Sequence, residues 1–334
     1  MKKVLRVLGF FLIALLGLIA LGAGLFAWFV YTPDPKVPPL SATLSKATIE
    51  VDGLKRSYRL YLPKSLNKAA PLVLVLHGSG QNGARIRLET GYEFDKLADR
   101  HGFAVVYPSA ISSDWNDCSR VGDFTFKGRE VNDVQFLNAL ADKLIAENGF
   151  DARRVFATGV SSGGLMAMRL ALESPSRFRA VAAISANLPV ADNFKCKPVG
   201  PGASVMLMNG TSDPLMPYAG GESSLFGLFF KGGMVKSAQD SARFFVAHNQ
   251  IRGNPAKNLA SKPERVSKKE QKQFDRILWR DDGKWEVELV TIHDGGHGMP
   301  QAAWQRPRLL GPSPMAPNGA ALIWDFFARQ KPSS

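Results

Sequence analysis

Between Thr48 and Ile292 the chain alternates short apolar runs with longer stretches in which apolar residues recur every three or four positions. The runs are Thr48–Val51, Tyr58–Leu62, Leu72–Leu76, Ala104–Tyr107, Val155–Thr158, Val181–Ile184, Val205–Met208 and Val287–Ile292. The first two alternate polar and apolar residues around Asp52-Gly53, which predicts an antiparallel hairpin. "LVLVL" at Leu72–Leu76 and "VMLM" at Val205–Met208 are nearly continuous, as suits strands covered on both faces. Helices are predicted at Glu89–Arg100, Glu130–Glu147, Ser162–Leu172, Val235–Ala247 and Gly319–Arg329. In the second of these, Val134, Leu137, Ala141, Leu144 and Ile145 fall at helical spacing with charges between them. Strands alternating with helices predict an α/β domain, a mostly parallel, doubly wound sheet of about eight strands that includes the antiparallel N-terminal hairpin. No second core-sized unit is visible, so residues 218–273 read as an excursion that forms a lid or rim.

The N-terminus breaks this pattern. Lys2, Lys3 and Arg6 precede an uncharged stretch from Val7 to Tyr31. A span needs about 20 apolar residues, more than the h-region of a signal peptide. Trp28 and Tyr31 close the stretch, as interfacial aromatics do, and the basic residues favour a cytoplasmic near end. Residues 1–31 therefore read as a signal anchor, with a cleaved signal peptide as the alternative. Either places the remaining chain outside the cytoplasm. The proline-dense "TPDPKVPPL" from Thr32 to Leu40 reads as a stiff spacer. The expected organisation is an anchor at 1–31, a linker at 32–45 and one catalytic domain at 46–331.

Composition adds two points. The formal net charge of +13 admits nucleic acid or an anionic envelope as a neighbour. The densest basic stretch, Arg252 to Arg276, holds one aromatic residue, Phe274, and three acids, and offers little stacking surface for bases. It reads as a solvated face, and no nucleic-acid partner is expected. The two cysteines, Cys118 and Cys196, are an even number in an exported chain. One disulfide between them is expected, with two separate thiols as the alternative.

The chemistry sits in four loops. "GVSSG" at Gly159–Gly163 follows a predicted strand and opens a predicted helix. A serine hydroxyl is a weak nucleophile without a base, and the base needs an orienting acid. A Gly-x-Ser-x-Gly turn exposes its serine at the carboxyl end of a strand, here Ser161, and the next residue, Ser162, can donate its N–H to an oxyanion. The loop "HGSGQNG" after Leu72–Leu76 offers Ser79 N–H as a second donor, with His77 bonded to the loop backbone. Asp213, in "NGTSDPLMPY" after Val205–Met208, is the acid, with Asp192 and Asp133 as fallbacks. His297, in "HDGGHGMP" after the last strand, is the base, and His293 is its satisfied neighbour. The order Ser–Asp–His fits a nucleophile-elbow hydrolase. A zinc pair at His293 and His297 would need a helix, which Gly295-Gly296 disfavours.

Together "LHGSGQN", "WNDC" (Trp115–Cys118), "GVSSGG", "GTSDPLMPYAGG" and "GGHGMP" resemble the α/β-hydrolase superfamily. Within it they look like the secreted polyhydroxybutyrate depolymerase and feruloyl or acetylxylan esterase group, over about Thr48 to Arg329. The resemblance implies an α/β-hydrolase fold and a triad of Ser161, Asp213 and His297. It also implies a small-molecule or polymeric ester substrate and no metal or organic cofactor. Members of that group carry Thr-Trp-Pro after the histidine, where this chain has Gly298-Met299-Pro300, which implies a changed pocket. The activity expected is an exported serine esterase, tethered to the membrane by its first helix. A serine peptidase of the same fold and a non-catalytic binding protein are the alternatives.

Overall fold

Continuous apolar runs have no solvent face, so the strands they form sit in the middle of the molecule. The computed structural model, which describes residues 2–122, 125–257 and 273–330, places them in one large sheet. The chain begins with helix α1 (Lys2–Phe29), then strands β1 (Leu44–Val51), β2 (Leu54–Tyr61) and β3 (Leu72–Leu76). Helices α2 (Gly83–Glu89) and α3 (Glu93–His101) lead to β4 (Ala104–Pro108). A two-residue pair, β5 (Thr125–Phe126) and β6 (Arg129–Glu130), precedes α4 (Asp133–Asn148). Then come β7 (Val155–Val160), α5 (Ser162–Glu173), β8 (Ala180–Ile184) and β9 (Ser204–Gly210). A hairpin of β10 (Gly221–Leu225) and β11 (Phe229–Val235) is followed by α6 (Ala238–His248). The chain closes with β12 (Ala256–Lys257), β13 (Phe274–Trp279), β14 (Val287–Ile292) and α7 (Gly319–Ala328).

The main sheet runs β1-β2-β4-β3-β7-β8-β9-β14-β13-β12. Its six central strands, β4 to β14 in that order, are parallel, and both edges are antiparallel. Ten strands replace the roughly eight expected. The additions are β12, near the start of the basic stretch, and β13, at its end, where the alternating burial of Phe274–Trp279 was hidden among charges. Alternate residues serve opposite faces. Leu72, Leu74 and Leu76 join the core under α4, α5 and α6, while Val73 and Val75 join the one under α2, α3 and α7.

Three predicted helices differ in detail. The one expected from Glu130 starts at Asp133, because Glu130 pairs in β6 and Asn132 caps the helix. The helix expected over Glu89–Arg100 is broken, because Gly91 and Tyr92 take positive φ values of 65° and 57° between α2 and α3. The turn is closed by Thr90 Oγ1 donating to Ile86 O at 2.9 Å. The helix expected from Val235 starts at Ala238, because Val235 still pairs in β11 and Ser237 caps the helix through Asp240 N. Within 218–273, then, the hairpin stands apart from the main sheet, whereas α6 packs into the core and β12 joins the sheet edge. Residues 258–272, most of the basic stretch, lie outside the described residues.

Helix α1 is long and apolar enough to cross a membrane, and its apolar side chains are exposed. The segment behind it lies on the domain. Leu40 and Ala42 pack against one core, and Ser41 N and Oγ donate to Asp99 at 2.9 and 2.5 Å.

Candidate active site

Strand β7 ends by driving Ser161 into φ 57°, ψ −122°, a conformation that costs a non-glycine residue on the order of 1–3 kcal/mol. Neighbouring backbone holds it there. Ser161 N donates to Ile184 O at 2.9 Å, and Leu165 N donates to Ser161 O at 2.9 Å. The glycines on either side permit the tight turn by close approach. A Cβ on Gly159 would lie 2.3 Å from Gly163 O, and one on Gly163 would lie 2.4 Å from Leu76 O. The pattern quoted from the sequence is thus required by the crossing of β7, α5 and β3. Ser161 stands at the amino end of α5, where unpaired N–H groups and the helix dipole favour negative charge.

Ser162 is buried, and its hydroxyl donates to Asp117 Oδ2 at 3.4 Å. Asp117 also accepts from Ser119 N at 2.8 Å. Burial raises the pKa of Asp117 to about 7 against the opposing pull of its donors and of Lys195 and Arg169. Its neighbour Cys118 is bonded to Cys196, with the Cα atoms 4.9 Å apart. This crosslink ties the loop carrying Asp117 to the segment between β8 and β9.

The loop after β3 is rigidly built. His77 is fully buried; its Nδ1 donates to Gly78 O at 2.8 Å and its Nε2 accepts from Ala110 N at 3.0 Å. Trp115 Nε1 donates to His77 O at 2.9 Å. Burial pushes the His77 pKa down to about 4, so the ring is neutral at ordinary pH. Gln81 Oε1 accepts from Gly78 N at 3.1 Å, while its Nε2 donates to Glu89 Oε2 at 2.8 Å. Ser79 sits exposed at the turn this network shapes.

Asp213 and His297 are 84 positions apart in sequence and in contact in space. His297 Nδ1 donates to Asp213 Oδ2 at 2.9 Å, with Oδ1 at 3.1 Å. Asp213 Oδ1 also accepts from Leu215 N at 2.9 Å and Met216 N at 2.8 Å. Burial alone would raise the pKa of this carboxyl. The adjacent imidazole and the two backbone donors outweigh it and hold the pKa below the usual range. His293 lies elsewhere, at the surface, 2.9 Å from Asp275 Oδ2. Asp133 is a buried partner of Arg56 at 2.5 Å, and Asp192 is exposed in a short turn, so neither faces His297.

One cavity of about 520 Å³ joins these pieces. Ser79, Ser161, Ser162 and His297 line it, as do Asp117 and Arg306. Asp213 stands behind His297. Arg306 is nearly enclosed and donates to Met299 O at 2.5 Å. Burial lowers its pKa to about 10, opposed by Asp213 and Glu89. Met299 and Trp304 also line the wall, so the segment after His297 supplies an indole five residues beyond the methionine. Asp117, Gln81 and Arg306 were not foreseen. "WNDC" carried Asp117 in plain view, but its role depends on the fold around it.

Residues 56–214 match the family model of Esterase PHB depolymerase, a span that holds Ser161 and Asp213 and ends before His297. A relative from Nocardia uniformis, "Putative esterase NocK", is 28% identical over 89% of this chain and 86% of its own length. "Feruloyl esterase B" of Thermothelomyces thermophilus is 32% identical over 38% of this chain and 42% of its own. Among solved structures, an acetyl xylan esterase from Aspergillus awamori superposes with a TM-score of 0.56 at 16% identity. That superposition covers 86% of this chain and the whole of the other, and shows a shared α/β-hydrolase fold.

Proposed function

We propose that this chain, a carboxylic ester hydrolase carrying an Esterase PHB depolymerase domain, cleaves its substrate through an acyl-enzyme on Ser161. The observation that carries this reading is the strained Ser161 sharing a cavity with His297, whose far nitrogen is held by buried Asp213. With Nδ1–H committed to Asp213, His297 Nε2 is left as the basic nitrogen. It takes the proton as Ser161 Oγ attacks the ester carbonyl. The oxyanion is met by the N–H groups of Ser162 and Ser79, donors worth about 3–4 kcal/mol each in related chemistry. His297 then protonates the leaving alcohol, and water activated by the same ring releases the acid. Asp213 supports the imidazolium in both steps.

The apolar α1 supports a signal anchor that leaves the enzymatic domain exported. Stoichiometric labelling of Ser161 by a fluorophosphonate, lost in Ser161→Ala with folding intact, is the expected result. A folded protein that neither labels nor turns over p-nitrophenyl acetate overturns the reading.

A further inference from the structure

The hairpin of β10 and β11 presents an apolar tip to solvent beside the cavity. Phe226, Leu228, Phe229 and Phe230 each expose more than half of their surface. Scattered apolar residues on a surface are ordinary, but a contiguous cluster marks a contact surface. The tip is no frayed loop, because its base is fastened. Gly232 O accepts from Ser119 Oγ at 3.2 Å and from Asn193 Nδ2 at 3.0 Å, and Lys236 N donates to Leu188 O at 2.8 Å.

The exit of α1 is fastened to another wall of the same cavity. Arg308 donates from Nη1 to Trp28 O at 2.9 Å, and its guanidinium lies 3.9 Å from the Trp28 ring centre. Asp34 pairs with Arg85 at 3.1 Å, and Arg85 stacks over Trp304. Pro307, Leu310 and Trp304 line the cavity, and so do Phe230, Lys231 and Gly232 of the hairpin. A helix as long as α1 spans about 40 Å, against a hydrocarbon layer of about 30 Å. In a bilayer crossed by α1, the Trp28 end would emerge at the surface, and the clamp on Arg308 would keep the cavity there.

We propose that the hairpin tip, residues 226–230, seats in the interface of the bilayer that holds α1, so that the cavity draws its ester from that interface. The substrate class is an acyl ester of an amphiphile with a long apolar tail. Aromatic side chains suit the interfacial layer, and exposed Lys231 suits the lipid phosphates above it. Val160, Leu165, Leu215, Met216 and Met299 continue an apolar lining from Phe230 toward Ser161. The proposal rests on the esterase reading above and adds the source of the substrate.

The test uses the full chain in proteoliposomes. Leu228→Cys can be labelled with the fluorophore NBD, since Cys118 and Cys196 are paired. Blue-shifted emission quenched by doxyl-labelled lipid is expected. Emission that stays water-like, or that is shielded yet indifferent to doxyl lipid because a second copy covers the tip, overturns the proposal. In parallel, Leu228→Ser with Phe229→Ser should cut turnover of a long-chain fluorogenic ester dissolved in the bilayer by about tenfold or more. Turnover of p-nitrophenyl acetate should stay within about twofold, a check that the pair leaves the fold intact. Equal loss on both esters, or on neither, overturns it. If the unaltered protein cleaves neither ester, the esterase reading fails, and the label position still judges the surface.

Discussion

The loop after β3 and the loop after β14 each set one buried histidine at the same rim of the sheet. His77 is fully enclosed and His297 is 7% exposed, so burial alone would treat them alike. Their partners differ. His77 has both ring nitrogens on backbone groups, and the donor on Nε2 together with burial opposes a second proton more than the Gly78 carbonyl favours it. His297 has one nitrogen on a carboxylate and shares the cavity with Ser161. The first ring is a strut that shapes the loop bearing Ser79. In the mechanism proposed above, the second takes a proton and gives it back. Chemistry at this rim follows from the partner, and burial only makes the partner matter more.

That contrast can be broken most forcefully at His297. His297→Ala should lower kcat by about 10⁴- to 10⁶-fold in single-turnover assays. Asp213→Asn should cost about 10⁴-fold, because the amide no longer fixes the productive tautomer. A loss under about tenfold for either would take the pair out of the reaction.

His77→Ala should do the reverse. It leaves the Ala110 N–H without its acceptor, and a loss of about 2–4 kcal/mol in urea unfolding is expected. Activity should fall only about 10- to 100-fold through displacement of the Ser79 loop. The pH dependence sharpens this. The folded pKa of His77 is depressed to about 4. The unfolded chain therefore binds a proton that the native state refuses. This contribution to stability is whole above about pH 6.5 and is lost as pH falls through 4, about 3 kcal/mol in all. The stability gap between the native protein and His77→Ala should narrow by that amount between pH 7 and pH 4. A constant gap would mean that His77 titrates normally.

The smallest effect belongs to His293. Its pairing with Asp275 is half-exposed, so His293→Ala should change stability by less than about 0.5 kcal/mol and leave turnover within about twofold. A large loss of activity would transfer the role assigned to His297.

Strand and helix periodicity was legible where burial is regular. The run Leu72–Leu76 suited a covered strand, and Gly159–Gly163, between a predicted strand and a predicted helix, suited a tight turn. The periodicity misled where a local event interrupts it. Nothing in the spacing of Glu89–Arg100 announces the left-handed turn at Gly91-Tyr92. The alternation of β13 lies beside a charge run, and the pairing that makes it a strand comes from β14, across a turn. Asp117 and Gln81 show the same limit in the site. Each is an ordinary polar residue by sequence, and gains its place from Ser162 and Gly78 respectively.

By itself the sequence determined the alternation of strand and helix, the sharp turn at Ser161, the order of serine, aspartate and histidine, and the apolar first helix. These rest on backbone conformation and side-chain type, which neighbours a few residues apart can dictate. The tertiary structure alone decided that Asp213 meets His297, that His77 accepts from Ala110, and that Arg308 grips Trp28 beside the cavity. Those contacts join segments tens to hundreds of residues apart, and only closure of the sheet around its two apolar cores brings them within reach.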